Sequence, residues 1–302
     1  MSCVGIDVSK SVLSCAHNGQ VKEFGNDEFG IEEAFLWARG AKTWCMEATG
    51  RHHLKLADRA VELGSRCLVV NPGHAKKYLG FVDSRAKTDK IDALGLARLA
   101  EREGESLHSY KTVPVQIQKA RDLLVERRAL TEARVALEQV AEQTGTANLD
   151  EAISSMKKSV EMIGKELAAT LKGYPGYEHL MTIPSIGPMS AAVLVCTLER
   201  GEFLTSDSLV AFAGLDPRPR ESGKIRGKRR LSHQGDAQLR TILYMAATAG
   251  ARTKHFKPYY QAQKAKGLSS TEATVILARK LIRVAWSVYK QQKPFEPLDK
   301  QT

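Results

Sequence analysis

The chain has no pair of cysteines at the C-x-x-C spacing and no long apolar run. Its five cysteines mostly lie singly in apolar segments, which excludes a disulfide framework and a cysteine-based zinc site. The longest apolar stretches, such as 191–196, are far shorter than the roughly 20 residues of a membrane-spanning helix. Asp7 and Lys10 stand close to the N-terminus, which is not the pattern of a signal peptide. We therefore expect a cytoplasmic protein with no membrane partner.

Acidic residues are too few to balance the basic ones. The 302 residues carry a formal net charge of +11, which favours a polyanion as partner, most often nucleic acid. A solvated basic surface without a partner would give the same charge. The sequence shows no tandem repeat or low-complexity tract, and its length suits one large or two modest domains.

The N-terminal part, residues 1–112, has the pattern of an α/β domain. Three short strands joined by tight turns come first, and helices then alternate with strands. The predicted elements are strands at 3–9, 12–16 and 21–24, a helix near 30–39, a strand at 43–48, a helix near 52–63, and a strand at 67–71 closed by Pro72. This order is the one expected of a ribonuclease-H-like domain.

Four carboxylates stand out in this domain. Asp7 and Glu47 each lie in a short apolar strand, where a buried carboxylate needs a partner. Asp89 and Asp92 are three residues apart and therefore share one face of a predicted helix. Together, four carboxylates can hold two Mg²⁺ or Mn²⁺ ions about 4 Å apart and polarise a phosphate. Each residue taken alone is explained as well by a surface charge or a helix cap.

Residues 113–174, which we call the arm, have narrow apolar stripes at helical spacing, broken near Gly145. The stripes predict two helices in an antiparallel coiled-coil hairpin, or an arm that pairs with another subunit of a homo-oligomer, a dimer or a tetramer. A helical linker packed on its own domain is the alternative. A cluster of helix-breaking residues at 172–176 marks the boundary.

Residues 175–302 predict a mainly helical domain. Helices are expected near 177–182, 188–199, 206–213, 236–252, 256–266 and 270–290. The segment 180–192 resembles a helix-hairpin-helix, whose turn offers backbone N–H groups to a phosphate. Ser185 stands where that motif has its first glycine, and a purely structural turn explains the segment equally well.

A second concentration of charge lies at residues 218–230, which we call the basic loop. Its cations are Arg218, Arg220, Lys224, Arg226, Lys228, Arg229 and Arg230. Such a segment cannot be buried, so it is either a solvated loop or a loop that closes on a nucleic-acid backbone. Lys87, two residues before Asp89, is a further candidate for nucleic-acid contact.

Four N-terminal segments resemble the DEDD transposases of the insertion sequence 110 family and the related Piv-type DNA invertases. They are 5–10, 47–50, 70–72 and 86–93, the last being the most specific. The resemblance implies a RuvC-like domain that binds divalent metal. Its four acidic catalytic positions correspond here to Asp7, Glu47, Asp89 and Asp92.

Segments 200–203, 212–217 and 235–240 resemble the transposase domain of the same family. The resemblance implies a nucleophilic serine between the last two, in a Ser-Ser-Gly-Gly-like stretch. Residues 221–224 read Glu-Ser-Gly-Lys, so Ser222 is the matching serine and Ser232 the fallback. The family further implies site-specific DNA recombination through a covalent phosphoserine, guided by a non-coding bridge RNA that pairs with donor and target DNA.

We therefore interpret the chain as a DNA transposase or recombinase. Two alternatives remain at this stage. One is a RuvC-like Holliday-junction nuclease in which metal-activated water attacks the phosphate and no adduct forms. The other is a nucleic-acid-binding protein that has the fold and no catalysis.

Overall fold

The computed structural model describes residues 2–82, 89–201, 203–218, 221–222, 225–226, 230–232 and 234–297, with backbone alone at 74, 79–82, 218, 221–222, 225–226 and 230. The chain divides into two compact units, Met1–Thr112 and Val113–Thr302. The predicted boundary near residue 174 falls inside the second unit, and the division into three domains stays a prediction.

The first unit is built on a five-stranded mixed sheet, in the order β3-β2-β1-β4-β5. Its strands are β1 (Cys3–Val8), β2 (Val12–His17), β3 (Gln20–Gly25), β4 (Thr43–Glu47) and β5 (Arg66–Val70). The first three form an antiparallel meander, whereas β4 is parallel to β1 and β5 is parallel to β4. Asn18 and Gly19 both have positive φ in the turn between β2 and β3, as the sequence predicts for a tight hairpin. The mixed α/β class is confirmed.

Four helices cover this sheet: α1 (Glu28–Trp37), α2 (Leu54–Glu62), α3 (Pro72–Val82) and α4 (Asp89–Glu103). Strand alternation separates two cores. On one face, β-strand residues such as Ile6 and Met46 cluster with residues of α1 and α2. On the other face, Cys45 and Leu68 cluster with Leu96 of α4. Both faces of the sheet are therefore buried, which explains why β1 and β4 read as nearly continuous apolar runs.

Helix α4 crosses β1 at close range, and Gly5 makes this possible. A Cβ atom at residue 5 would lie 2.0 Å from the carbonyl oxygen of Ala93 and 2.2 Å from the nitrogen of Ala97. Only glycine lets the helix backbone approach the strand so closely. This contact fixes α4, and with it the acidic residues of its first turn, relative to the sheet.

Helix α3 was not predicted. The sequence predicts that Pro72 closes the preceding strand, whereas in the structure Pro72 begins a helix. Proline is compatible with the first position of a helix because its missing N–H has no partner there in any case. The side chain of Asn71 accepts a hydrogen bond from the N–H of Gly73 at 2.8 Å and so caps the helix start.

The arm forms the two predicted helices, α5 (Val115–Thr144) and α6 (Asp150–Leu171). Gly145 ends α5 in the left-handed conformation. The helices are antiparallel, because Lys119 pairs with Glu166 at 2.9 Å and Lys157 pairs with Glu138 at 3.1 Å.

The buried residues of the arm lie mainly where it joins the rest of its unit. Ile117 and Leu171, near the ends of the hairpin, belong to the main core of the second unit, whereas Val135 and Val140 are exposed. The arm therefore forms a helical hairpin and also packs on its own unit, although the sequence predicts these as alternatives.

The described residues of the second unit form six further helices: α7 (Pro175–Met181), α8 (Pro188–Leu198), α9 (Ser206–Phe212), α10 (Ala237–Gly250), α11 (Lys257–Ala265) and α12 (Ser270–Gln291). Helix α8 is central, since every residue from 191 to 198 is buried. At its end, the Glu199 carboxylate accepts hydrogen bonds from the hydroxyl groups of Tyr174 and Tyr289, which ties α8 to α12. Within the described parts of the chain, no helix combines the length and the apolar character needed to span a membrane.

The basic loop contains two short ribbons where the sequence predicts only a loop. Strand β6 (Pro217–Arg218) pairs with β9 (Arg230–Leu231), and β7 (Glu221–Ser222) pairs with β8 (Ile225–Arg226), both antiparallel. Two-residue strands carry too little pattern to be recognised in a sequence.

Candidate functional site

Asp7 and Glu47 come from neighbouring parallel strands. Gly5 is in register with Cys45 and Ile6 with Met46, so Asp7 and Glu47 follow side by side at the carboxyl ends of β1 and β4. Adjacent strands lie about 5 Å apart. Alternation also puts Asp7 on the same face as Gly5, which is the face that α4 covers.

Asp89 and Asp92 lie in the first turn of α4. Ala93 contacts the sheet at Gly5, so the turn that precedes it lies near the end of β1. The positive end of the helix dipole favours carboxylates at these positions. The structure thus brings two carboxylates from the sheet and two from a helix within electrostatic reach of one another, and we call these four residues the acidic site.

The charges of the acidic site act on Asp7. Burial, followed in order by the negative charges of Asp89, Asp92 and Glu47, raises the pKa of Asp7 from 3.8 to about 6. A hydrogen bond from the backbone of Val8 opposes the rise. Asp7, Glu47 and Asp92 are half-buried and Asp89 is exposed. All four carboxylates therefore belong to one electrostatic environment.

The donor chemistry of this site suits a hard divalent cation, because all four side chains offer only oxygen. Among the described residues, however, no three acidic, histidine or cysteine side chains are gathered closely enough to hold a metal ion. Sheet register and the Gly5 contact keep the backbones of these residues within electrostatic reach of one another. Side-chain rotation would be needed to complete a coordination shell.

The predicted nucleophile and its cations fall largely outside the described residues. The backbone of Ser222 lies in β7, opposite Ile225 of β8, and the structure does not describe its side chain. The same holds for the side chains of Arg218, Arg226 and Arg230. Predictions for Lys87, Arg220, Lys224, Lys228 and Arg229 fall entirely outside the described residues.

Ser232, the fallback serine, has a defined partner that the sequence did not indicate. Its hydroxyl donates a hydrogen bond to the carboxylate of Asp216, and its backbone N–H donates to the Asp216 carbonyl at 3.0 Å. Asp216 and Ser232 directly flank the β6–β9 ribbon, so these bonds close the basic loop at its base.

The two segments that frame the basic loop pack against each other. A Cβ atom on Gly235, at φ 152°, would lie 2.1 Å from the carbonyl oxygen of Phe212. Arg240 donates to the carbonyl of Ala213 at 2.9 Å. Gly235 and Arg240 therefore have structural roles: the first allows the close approach of the two segments, and the second holds them together with a hydrogen bond.

The helix-hairpin-helix-like turn ends at Gly187, which caps α8 without a side-chain hydrogen bond. Ser185 has φ 76°, in the left-handed region that favours glycine. Its hydroxyl is buried without a hydrogen-bond partner among the described residues, and a Cβ atom on Gly250 of α10 would lie 2.9 Å from it. Ser185 therefore packs inward, toward Gly250 of α10.

Comparison with known proteins gives two family matches. A transposase model of the DEDD IS110 type matches residues 4–144, and the model described as Transposase IS116/IS110/IS902 family matches residues 177–261. Together these matches cover about three quarters of the chain. The first spans the acidic site and the second spans the helix-hairpin-helix-like turn and the basic loop.

Three relatives illustrate the similarity. The chain is 28% identical to the pilin gene-inverting protein of Moraxella bovis over 97% of both chains. It is 26% identical to the transposase for insertion sequence element IS1111A of Coxiella burnetii, over 77% of this chain and 74% of that one. It is 28% identical to an uncharacterized 43.6 kDa protein of insertion element IS110 from Streptomyces coelicolor, over 53% of this chain and 42% of that one.

Proposed function

Because this chain belongs to the IS116/IS110/IS902 family of transposases and DNA invertases, we propose that it cuts and rejoins DNA by phosphoryl transfer at the acidic site. The observation that carries this proposal is the convergence of Glu47, Asp89 and Asp92 on Asp7. The sheet order and the mixed strand directions support a RuvC-like, ribonuclease-H-like domain.

In this proposal the acidic site holds the scissile phosphate through Mg²⁺ or Mn²⁺. Asp7, Glu47, Asp89 and Asp92 would be the ligands, and the cations would supply positive charge to the attacking and leaving oxygens. Strand register positions Asp7 and Glu47, and the Gly5 contact positions the two aspartates of α4. The pKa of about 6 at Asp7 means that a proton competes for this carboxylate under mildly acidic conditions.

We assign the nucleophile to Ser222. Its Oγ would form a bond to phosphorus as the bond from phosphorus to the DNA leaving oxygen breaks. The proton of the serine hydroxyl would pass through water to the leaving oxygen, which departs as a hydroxyl group. The phosphoserine ester conserves the energy of the phosphodiester, so rejoining needs no ATP. The backbone supports this assignment, because Ser222 is paired opposite Ile225 in the β7–β8 ribbon. The sequence around this ribbon is rich in cations, which would stabilise the charge that develops.

DNA is the proposed substrate, at the element ends and at the target. By family resemblance, a bridge RNA is the proposed guide, and the net charge of +11 suits either polyanion. We also propose a homo-oligomer, a dimer or a tetramer, joined through the arm. Support comes from apolar side chains of the arm that are exposed in the single chain: Val125 (68%), Val135 (39%), Val140 (45%) and Met162 (62%).

A charged substitution tests the oligomer. We expect Val140→Asp to lower the oligomeric state, measured by light scattering, and to reduce recombination, because a carboxylate would be buried in the interface. Lys158→Asp, at an exposed charged position of α6, is the control and should change neither. If the oligomer of Val140→Asp has the same mass as that of the unchanged protein, the arm does not form the interface.

The main rival is a RuvC-like junction nuclease, which the acidic site alone would support. Metal-activated water would then be the nucleophile, and no covalent adduct would form. A non-catalytic nucleic-acid-binding protein is a second rival. The decisive assay incubates the protein with element ends, flanking RNA and Mg²⁺, and looks for a protein–DNA adduct on a denaturing gel.

In that assay, three variants distinguish the recombinase from the junction nuclease and from the non-catalytic binding protein. Asp89→Asn should abolish cleavage if the acidic site is catalytic, and leave DNA binding unchanged. Ser222→Ala should abolish the adduct and strand exchange, whereas Ser232→Ala should keep most of both. Cleavage without any adduct would favour the nuclease, and an adduct that maps to Ser232 would transfer the nucleophile to the serine bonded to Asp216.

A further inference from the structure

The surface of the second unit has an open depression of about 520 Å³ between the arm and the start of α8, which we call the cavity. Three helices line it: α5 with one residue, α6 along one face, and α8 with its first turn. The lining residues that matter for its chemistry are Arg127, Lys157, Glu161, Lys165 and Met189. Three of the four charged side chains are therefore cationic.

Arg127 is the unusual member of this set. Its Nε atom is buried and has no hydrogen-bond partner among the described residues. Burial lowers the pKa of its guanidinium, and the positive charge of Arg134 lowers it further. A buried charged donor without an acceptor is costly, and an anion in the cavity would supply the acceptor.

The other charges are partly compensated. Lys157 pairs with Glu138 at 3.1 Å and Lys165 pairs with Glu161 at 2.7 Å, and these lysines are 58% and 76% exposed. Such exposed pairs are weak, so each lysine can turn to a stronger anion. Lys157 and Lys165 therefore form a cationic rim around the half-buried Arg127.

The start of α8 adds a second source of positive potential. Gly187 caps this 11-residue helix without a side-chain acceptor, and Pro188 and Met189 of its first turn line the cavity. Unpaired N–H groups and the helix dipole favour a phosphate at such a position.

Gly164 lines the cavity, and its lack of a side chain leaves that part of the cavity unfilled. It lies within α6, where glycine weakens a helix relative to alanine. No packing contact requires it, because a Cβ atom there would meet no atom within 4 Å. The glycine thus gives up helix stability at a point where a larger side chain would enter the cavity.

We propose that this cavity binds a phosphodiester group of a nucleic-acid backbone, with Arg127 as the principal contact and Lys157 and Lys165 as the rim. The assignment of the anion to nucleic acid rests on the proposed function, whereas the assignment of an anion rests on the cavity itself. It places a nucleic-acid contact at the junction of the arm and α8, at residues separate from the basic loop.

The test uses two matched pairs of variants in the full-length chain. Arg127→Met removes the half-buried guanidinium, and Arg128→Met removes a charge from the next residue, which pairs with Glu132 on the surface and does not line the cavity. Gly164→Glu places a carboxylate in the cavity, and Gly164→Gln places a neutral side chain of the same size there.

Two measurements are made on each variant. The first is the shift of Tm caused by inorganic phosphate against chloride at equal ionic strength. The second is the slope of log binding constant against log salt concentration for duplex DNA and, separately, for RNA. We expect Arg127→Met to lose the phosphate-dependent shift and about one unit of slope with at least one of the nucleic acids. Arg128→Met should keep both, and Gly164→Glu should bind several-fold more weakly than Gly164→Gln.

Each contrary outcome is informative. Equal slopes for Arg127→Met, Arg128→Met and the unchanged protein, together with equal phosphate shifts, would overturn the inference while the proposed function stands. A phosphate shift that depends on Arg127 without any change in slope would overturn the nucleic-acid assignment and leave a site for a free anion. If the unchanged protein binds no nucleic acid, the proposed function fails, and the phosphate shift alone decides whether the cavity binds an anion.

Discussion

Replacing Asp7 with asparagine should stabilise the protein when metal is withheld. The carboxylate of Asp7 is half-buried and faces the charges of Glu47, Asp89 and Asp92, which together with burial raise its pKa from 3.8 to about 6. Asparagine has nearly the same shape and keeps an oxygen that can accept the hydrogen bond from Val8. The substitution therefore removes the charge and little else.

The size of the effect follows from the shift in pKa. A shift of about two units corresponds to at most about 3 kcal/mol of destabilisation by the ionised form. Because Asp7 retains contact with solvent, screening reduces this to about 1–2 kcal/mol. The sign follows from the raised pKa of the folded state: the penalty is absent below pH 3.8, grows between 3.8 and about 6, and is complete above that.

The assay is urea unfolding in EDTA at pH 7.5 and at pH 5. We expect Asp7→Asn to raise the free energy of unfolding at pH 7.5, and by a smaller amount at pH 5, where the penalty is incomplete. Glu23→Gln, which removes an exposed carboxylate from β3 of the same sheet, should change neither value. Adding Mg²⁺ should then stabilise the unchanged protein more than Asp7→Asn, because a ligand that binds only the folded state raises its stability.

A lower or equal stability of Asp7→Asn at pH 7.5 without metal would refute the argument. It would mean that the four carboxylates do not share one environment and that strand register and the Gly5 contact do not bring them together. A gain from Mg²⁺ that is equal in both proteins would refute Asp7 as a ligand and leave the electrostatic result intact.

Three further outcomes are expected. Ser222→Ala should abolish the covalent adduct and strand exchange on a denaturing gel while DNA binding persists, and Ser232→Ala should retain most activity; full recombination by the first variant would remove the serine mechanism. Gly5→Ala should lower the free energy of unfolding by at least about 2 kcal/mol, because its Cβ would collide with the backbone of α4, and an unchanged Tm would contradict that packing. Replacing Arg226, Lys228 and Arg229 of the basic loop together with alanine should weaken DNA binding. It should also reduce the slope of log binding constant against log salt concentration by about one unit per lost phosphate contact, and an unchanged slope would indicate a solvated loop.

Much of the fold could be predicted because it depends on local patterns. Apolar runs and tight turns indicated all five strands of the sheet, and helical periodicity indicated α5 and α6 on either side of Gly145. Helix α3 escaped prediction because its start, Pro72-Gly73, also reads as a break, and its cap depends on the side chain of Asn71. The ribbons of the basic loop escaped because strands of two residues have no period.

The sequence by itself determined which residues of the acidic site are chemically able to act, since carboxylates in apolar strands stand out against their surroundings. It could not determine that they meet. That depends on the parallel register of β1 with β4 and on the absence of a side chain at Gly5, which lets α4 bring Asp89 and Asp92 to the sheet. Likewise, the hydrogen bond between Ser232 and Asp216 and the position of Arg127 beside α6 and α8 arise from tertiary contacts. Such contacts link residues far apart in the chain, and their free energy depends on distance and burial in space rather than on spacing along the sequence.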